Sequence, residues 1–317
     1  MFEATRPRLT GLAYRLLGSI SDAQDAVQDT YVKWVTYRGP LPETPAAWLS
    51  RACTNTCLDR LKAADRKRID YVGPWIPDQI QTEFDTGPED AAEIASSLTT
   101  AFLMVLDRLT PRERAAFLLH DIFDMSYDET ADVLGLGVAN CRQLAARARS
   151  HVTQDKARHV PATDNQTALL GAFQLAVETG ETAQLGALLR ADTDLRADSG
   201  GKVAAIRRVI SGEARICGFV STVLTPAWAG KDITPVPING TLGLMVRDDG
   251  RVHAAVSFGW GQDRAVRQIY VQRNPDKLAL LTATTGLADA GGALLMRSKL
   301  GLGTGSNGKE NGPSHSG

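Results

Sequence analysis

The sequence predicts a multidomain chain: two all-α modules followed by an α+β module. Three observations carry this. Apolar residues recur at helical spacing through residues 1–63 and again through 88–160, while the stretch between them, 64–87, is not periodic and crowds Gly73, Pro74 and Pro77 together. From 165 to 280, helical segments give way to alternating runs around Asp249-Gly250, a strong two-residue hairpin signal. Residues 281–317 make a tail, rich in Gly, Ser and Asn beyond Gly301 and expected to be partly disordered.

Leu9, Leu12, Ala13, Leu16, Leu17 and Ile20 mark the first helix, and Gly18 suits its end. Ser21 followed by Gln24 reads as a capping box opening the second. There Ala23, Val27, Tyr31 and Trp34 form an apolar stripe, and Asp22, Asp25 and Asp29 fall at i, i+3 and i+7 on another side. Thr44-Pro45 opens a third helix, with Trp48, Leu49, Ala52, Cys53 and Cys57 on its apolar side. Its polar stripe is Arg51, Asn55, Asp59 and Lys62, with Arg60 beside it.

In the second module, Thr110 with Glu113 and Ser126 with Glu129 are capping boxes. Gly135-Leu136-Gly137 is a short turn between two helices, the shape of a helix-turn-helix. Beyond it, Cys141, Leu144, Ala145 and Ala148 point inward. Asn140, Arg142, Gln143 and Arg147 are left outside, with Arg149 on the flank. Arg, Gln and Asn are the side chains able to contact base edges bidentately in the major groove, and a recognition helix presents them from its N-terminal half. His151, Lys156 and Arg158 extend a basic end suited to phosphates.

Composition excludes little: 43% hydrophobic, 22% charged, net charge −1. Charge placement matters more than its sum. Cys53 and Cys57 lack the further ligands of a zinc set, so no metal is expected. No apolar run approaches the ~20 residues of a membrane span, and the N-terminus lacks the apolar core of a secretion signal, so a cytoplasmic protein without a membrane partner is expected. Asp194, Asp198 and His253 are the candidate general bases of the last module. No Tyr-plus-acid pair accompanies them to stabilise an enolate, so neither catalysis nor a cofactor is expected.

The segment SDAQDAVQDTYVKWV, with GLAYRLLGS before it and TPAAWLSRACTNTCLDRLK after it, resembles region 2 of a bacterial RNA polymerase sigma factor of the extracytoplasmic-function group (group IV of the sigma-70 family). The helix-turn-helix is similar to region 4. The resemblance implies that the helix bearing Asp22, Asp25 and Asp29 docks on a coiled coil of the polymerase β′ subunit, the core (β′ and β) being the protein partner. It implies that Arg51, Asn55, Arg60 and Lys62 capture the −10 promoter element as single-stranded DNA. Asn140, Arg142, Gln143, Arg147 and Arg149 would read the −35 element.

The extension resembles the cone-shaped SnoaL-like (NTF2-like) fold of one subgroup of these factors. The marks are Tyr71-Val72-Gly73-Pro74-Trp75-Ile76-Pro77 in the linker, Asp198-Ser199-Gly200-Gly201-Lys202, and Asn274-Pro275-Asp276-Lys277-Leu278. Gly200-Gly201 is expected to make a tight turn that brings Asp198 and Lys202 close together. The glycine-rich and Asn-Pro segments are expected to meet the linker around Trp75 and Pro77, making the extension a built-in regulator. A one-component regulator, whose ligand-sensing cone controls a helix-turn-helix without polymerase, is the alternative. The sequence names no ligand for the cone.

Overall fold

The computed structural model describes residues 1–81, 97–154, 160–261, 263 and 265–288. The expectations for 88–96 and 289–317 lie outside these residues.

Helix α1 (Phe2–Leu17) ends at Gly18, whose left-handed backbone (φ 68°) lets its N–H donate to the Tyr14 carbonyl. Helix α2 (Ile20–Thr36) starts two residues earlier than a cap at Ser21 would place it. Its cap is Ser19, whose Oγ accepts from the Asp22 N–H at 3.4 Å. The carboxylate of Asp78, far off in sequence, takes the Ile20 N–H at 2.8 Å. A tertiary partner thus satisfies one of the donors a helix start leaves open, and the helix lengthens. Helix α3 (Pro45–Ile69) runs past the expected end at 63, because nothing breaks a helix before Gly73.

The second module holds α4 (Thr100–Asp107), α5 (Pro111–Phe117, prolonged by a π-helical turn to Ile122), α6 (Tyr127–Leu134) and α7 (Val138–Gln154). Both capping boxes form. The two helical modules share one apolar core: Leu12, Leu16, Val27, Leu49 and Cys57 continue into Phe102, Phe117, Leu118 and Ala148. Arginines cross the seam. Arg114 donates to the Leu16 carbonyl, and Arg8 donates to the Phe123 carbonyl at 2.8 Å. Arg15, 1% exposed, donates to Ser97 Oγ at 2.9 Å and lies over the Phe123 ring. Burial pulls its pKa down to about 10.

The extension comprises α8 (Thr163–Thr179), α9 (Ala183–Leu188), β1 (Leu189–Asp198), β2 (Ile210–Ser211), α10 (Glu213–Phe219, prolonged by a π-helical turn to Leu224), α11 (Thr225–Trp228), β3 (Asp232–Ile238), β4 (Thr241–Asp248), β5 (Arg251–Trp260), β6 (Val266–Gln272) and α12 (Pro275–Ala288). Its sheet runs β2-β1-β6-β5-β4-β3 and is antiparallel except for the β1–β6 pair. One apolar face joins α8, α10 and α11 in a core of Phe173, Leu195, Ile216, Trp228, Phe258 and Trp260.

Two smaller apolar clusters lie apart from that core. Leu278 and Leu281 of α12 pack with Ile238, Met245 and Ala255. Tyr270 meets Ile76 of the linker and Ala101 and Met104 of α4. The extension's sheet thereby touches both the linker and the second helical module. Among the described residues, no helix is long and apolar enough to cross a membrane.

Gly18 is a tight point of this arrangement. A Cβ there would stand 2.6 Å from a Trp75 ring carbon, and the left-handed φ penalises any side chain. Gly18→Ala should lower stability by about 2–3 kcal/mol in urea unfolding, combining backbone strain and overpacking. An unchanged midpoint would mean that Trp75 does not press on this turn.

Candidate functional site

On α2, the side chains of Asp22, Asp25 and Asp29 are each about half exposed or more. They share one counter-charge. Arg60 of α3 reaches Asp29 at 2.7 Å, Asp25 at 3.6 Å and Asp22 at 3.9 Å. The hydrogen bond from Arg60 to Asp29, with the charges of the other aspartates, raises the guanidinium's pKa further. Arg60, expected among the DNA-facing residues, therefore turns toward the acidic stripe. Its neighbours Cys57 and Leu61 are buried against α1 and α2, which aims it at α2. Trp48, expected in the core, packs on Trp34 and Tyr37 with ring centres 5.4 and 5.2 Å away.

The rest of the α3 stripe faces the helix-turn-helix. Arg51 pairs with Asp132 of α6 at 2.8 Å. Asn55, Leu58, Asp59 and Lys62 line a cleft whose other wall is Thr110, Pro111, Arg112, Leu134 and Leu144.

On α7, Asn140, Arg142, Gln143 and Arg147 are exposed. Arg142 lies over the Tyr127 ring, 5.4 Å from its centre, and His120 stacks on the same ring at 3.7 Å. Arg149 is tied inside the module. It donates to Asp121 at 2.7 Å and to Tyr127 Oη at 3.4 Å, and these bonds hold its pKa well above the usual guanidinium value. It braces α7 against the preceding turn. Sequence spacing missed this because Asp121 is remote in the chain. Lys156 and Arg158 lie outside the described residues.

The linker and the extension meet at Asp198, which is fully buried. One carboxylate oxygen accepts from Tyr71 Oη at 2.6 Å and from the Gly200 N–H at 3.0 Å. The other accepts from the Ile76 N–H at 3.0 Å and Lys277 Nζ at 2.8 Å. Lys277 also sits 4.6 Å from the centre of the Trp75 ring and donates to the Ile76 carbonyl. Asn274 Nδ2 donates to Tyr71 Oη at 3.0 Å, while its Oδ1 caps α12 through the Asp276 N–H at 3.1 Å. Pro275 opens α12, where a missing N–H costs nothing. Burial and the Asp198 charge push the Tyr71 phenol up.

Gly200 and Gly201 have positive φ and almost no room. A Cβ on Gly200 would lie 2.5 Å from Asn274, and one on Gly201 2.9 Å from Val72. The turn is glycine for close approach to the linker as well as for its backbone. Lys202 pairs with Asp276, not with Asp198 as the turn suggested. The partner of Asp198 is Lys277, delivered from the far end of the extension.

The linker then continues into the first module. Pro77 is buried beside Gly18. The Asp78 N–H donates to the Gly18 carbonyl at 2.9 Å, and the Asp78 carbonyl accepts from Tyr14 Oη. Asn239 donates to Tyr14 Oη at 3.0 Å and exchanges two hydrogen bonds with the Ile80 backbone. Gln79 donates to Ser257, which bonds Thr100 of α4 at 3.0 Å.

Lys277→Met would leave the Asp198 charge buried with one partner fewer, so it should cost about 3 kcal/mol or more. Combined with Asp198→Asn, much of that loss should disappear. A double-mutant cycle in urea checks this, and strictly additive costs would mean that the two groups do not interact.

Comparison with known proteins places this geometry in a family. Residues 1–67 match the model described as Sigma-70 region 2, and residues 99–152 that of Sigma-70, region 4. The chain is 36% identical over 225 residues to the ECF RNA polymerase sigma factor SigJ of Mycobacterium tuberculosis (strain ATCC 25618 / H37Rv), covering 69% of this chain and 70% of that one. It is 32% identical over 159 residues to the probable ECF RNA polymerase sigma factor SigI of Mycobacterium tuberculosis (strain CDC 1551 / Oshkosh), covering 49% and 54%. The crystal structure of SigJ superposes with a TM-score of 0.68 at 31% identity, covering 88% of this chain and 97% of that one. Both sigma regions stand in order and the likeness to SigJ runs through the extension, so the chain belongs to the extracytoplasmic-function sigma factors of the sigma-70 family, which bind core RNA polymerase and direct it to promoter DNA.

Proposed function

We propose that the extension is the built-in regulator of this sigma factor, and that it works by holding the linker. In this reading Asp22, Asp25 and Asp29 dock on the polymerase core. Arg51, Asn55 and Lys62 take the single-stranded −10 element, and Asn140, Arg142, Gln143 and Arg147 read the −35 element. The observation that carries the proposal is the Asp198 carboxylate, which binds the linker at both Tyr71 and Ile76. With the linker so held, the −10 stripe of α3 faces the helix-turn-helix, and Arg51 is occupied by Asp132. Promoter engagement then requires the two readers to part. The linker's bonds to Asp198 and Lys277, and those from Asn239 and Ser257, oppose that separation.

A mechanical role, not a catalytic one, is supported by the contents of the cone. Phe173, Trp228, Phe258 and Trp260 are buried in its core. His253, the candidate base, bonds to the Arg273 guanidinium at 3.1 Å, and burial with nearby cationic charge lowers its pKa. Of the other two candidates, Asp198 is consumed by the linker, and Asp194 accepts from Ser211 Oγ at 2.6 Å and pairs with Arg196 at 3.3 Å.

Two results test the reading. Asp132→Arg replaces an attraction with a repulsion at an exposed pair, so binding of a single-stranded −10 oligonucleotide by the free full-length protein should tighten about threefold. Unchanged or weaker binding would mean that Arg51 is not withheld by this contact. Reversing the charges of Asp22, Asp25 and Asp29 should abolish co-purification with core polymerase while binding to −35 duplex DNA persists. If core binding survives, the docking assignment is wrong.

A further inference from the structure

We infer that Arg60 is the internal counter-ion of the polymerase-docking face: it withdraws Asp29 from the partner and sets how tightly the face binds. The inference rests on the docking assignment proposed above, and it moves Arg60 out of the DNA-reading set.

Three carboxylates along α2 make a face that repels itself and attracts a basic partner. Arg60 neutralises one unit of that charge, and it does so unevenly. Its contact with Asp29 is a direct hydrogen bond at 2.7 Å, whereas Asp25 and Asp22 stand at 3.6 and 3.9 Å. Asp29, although its side chain is 51% exposed, therefore already holds a counter-charge. Asp22 and Asp25, with side chains 55% and 68% exposed, remain available to cations from outside. The Arg60 side chain, 30% exposed, is less exposed than any of the three carboxylates.

The division of labour on α3 agrees. Asn55, Leu58, Asp59 and Lys62 line the cleft toward the helix-turn-helix, and Arg51 pairs with Asp132 there. Among the described side chains of this helix, Arg60 is the cation that turns the other way. A DNA strand lying along the cleft side would not reach it without first breaking the contact with Asp29.

Charge at a protein interface acts mainly on encounter and on salt dependence. Arg60→Gln leaves Asp22, Asp25 and Asp29 uncompensated. Full-length Arg60→Gln protein should bind core polymerase about three to five times more tightly at low salt, with a steeper loss of affinity as salt rises. Arg60→Lys keeps the charge and should behave nearly like the parent. Affinity for a single-stranded −10 oligonucleotide should be unchanged in both.

The opposite pattern overturns the inference: core affinity unchanged or weaker in Arg60→Gln, or a loss confined to the −10 oligonucleotide. A Gln variant that melts far below the parent overturns it too, since the pair would then be a structural clamp. The triple charge reversal run in the same assay separates the two levels. If it abolishes core binding while Arg60→Gln does nothing, only the counter-ion role falls. If it also leaves core binding intact, the docking assignment falls with it.

Discussion

A carboxylate removed from water must keep its partners, and Asp198 draws its own from three separate stretches of chain. Tyr71 and Ile76 belong to the linker, Gly200 to the turn beside it, and Lys277 to the last helix of the extension. None of these can leave without exposing the others' electrostatic cost. The linker is therefore a built element of the fold over residues 71–81, despite a composition that reads as a spacer. Gly200 and Gly201 bring the turn against Val72 and Asn274, Trp75 fills the space over Gly18, and Lys277 lies over both linker rings.

From that anchored strand the remaining contacts follow. Asp78 serves the start of α2, the helix that carries the acidic stripe, while Asn239 and Ser257 hold Ile80 and Gln79 from the extension. Helices α1 and α4 are thus bonded directly to the extension, through Tyr14 and Thr100, and α2 is reached through Asp78 of the linker. The exposed Arg51–Asp132 pair contributes little by itself, about 0–1 kcal/mol as such pairs generally do. The shared apolar core and the buried arginines Arg15 and Arg114 supply the larger part of the closure between the helical modules.

Much of this was legible in the sequence. Helical periodicity, two capping boxes, Gly18, the glycine-bearing turn and the Asp249-Gly250 hairpin are local signals, and each corresponds to a feature of the structure. What escaped was set by distant partners. Helix α2 starts at Ile20 because Asp78 supplies an acceptor from the linker. Arg60 and Arg149, chosen for DNA by residue type and helical face, are claimed by Asp29 and Asp121, which no spacing rule connects to them. Asp198 was singled out for the neighbourhood of the linker, but Lys202, expected close to it, pairs with Asp276 and its cation is Lys277. Lys202 is near in sequence, whereas Lys277 arrives through the parallel pairing of β1 with β6, which carries Asp198 alongside Gln272 and so beside the start of α12.

The most direct measurement is the distance between the two helical modules in solution. Fluorophores placed at Val35 of α2 and Ala146 of α7, both exposed, would report it by energy transfer in the full-length protein with Cys217 replaced by Ala. If the extension holds the readers together through the linker as proposed, the free parent shows one short distance. Asp198→Ala should then add a longer one, and core polymerase should convert both proteins to the longer distance. A single distance identical in the parent and the Asp198→Ala protein, with the variant still folded, would contradict it.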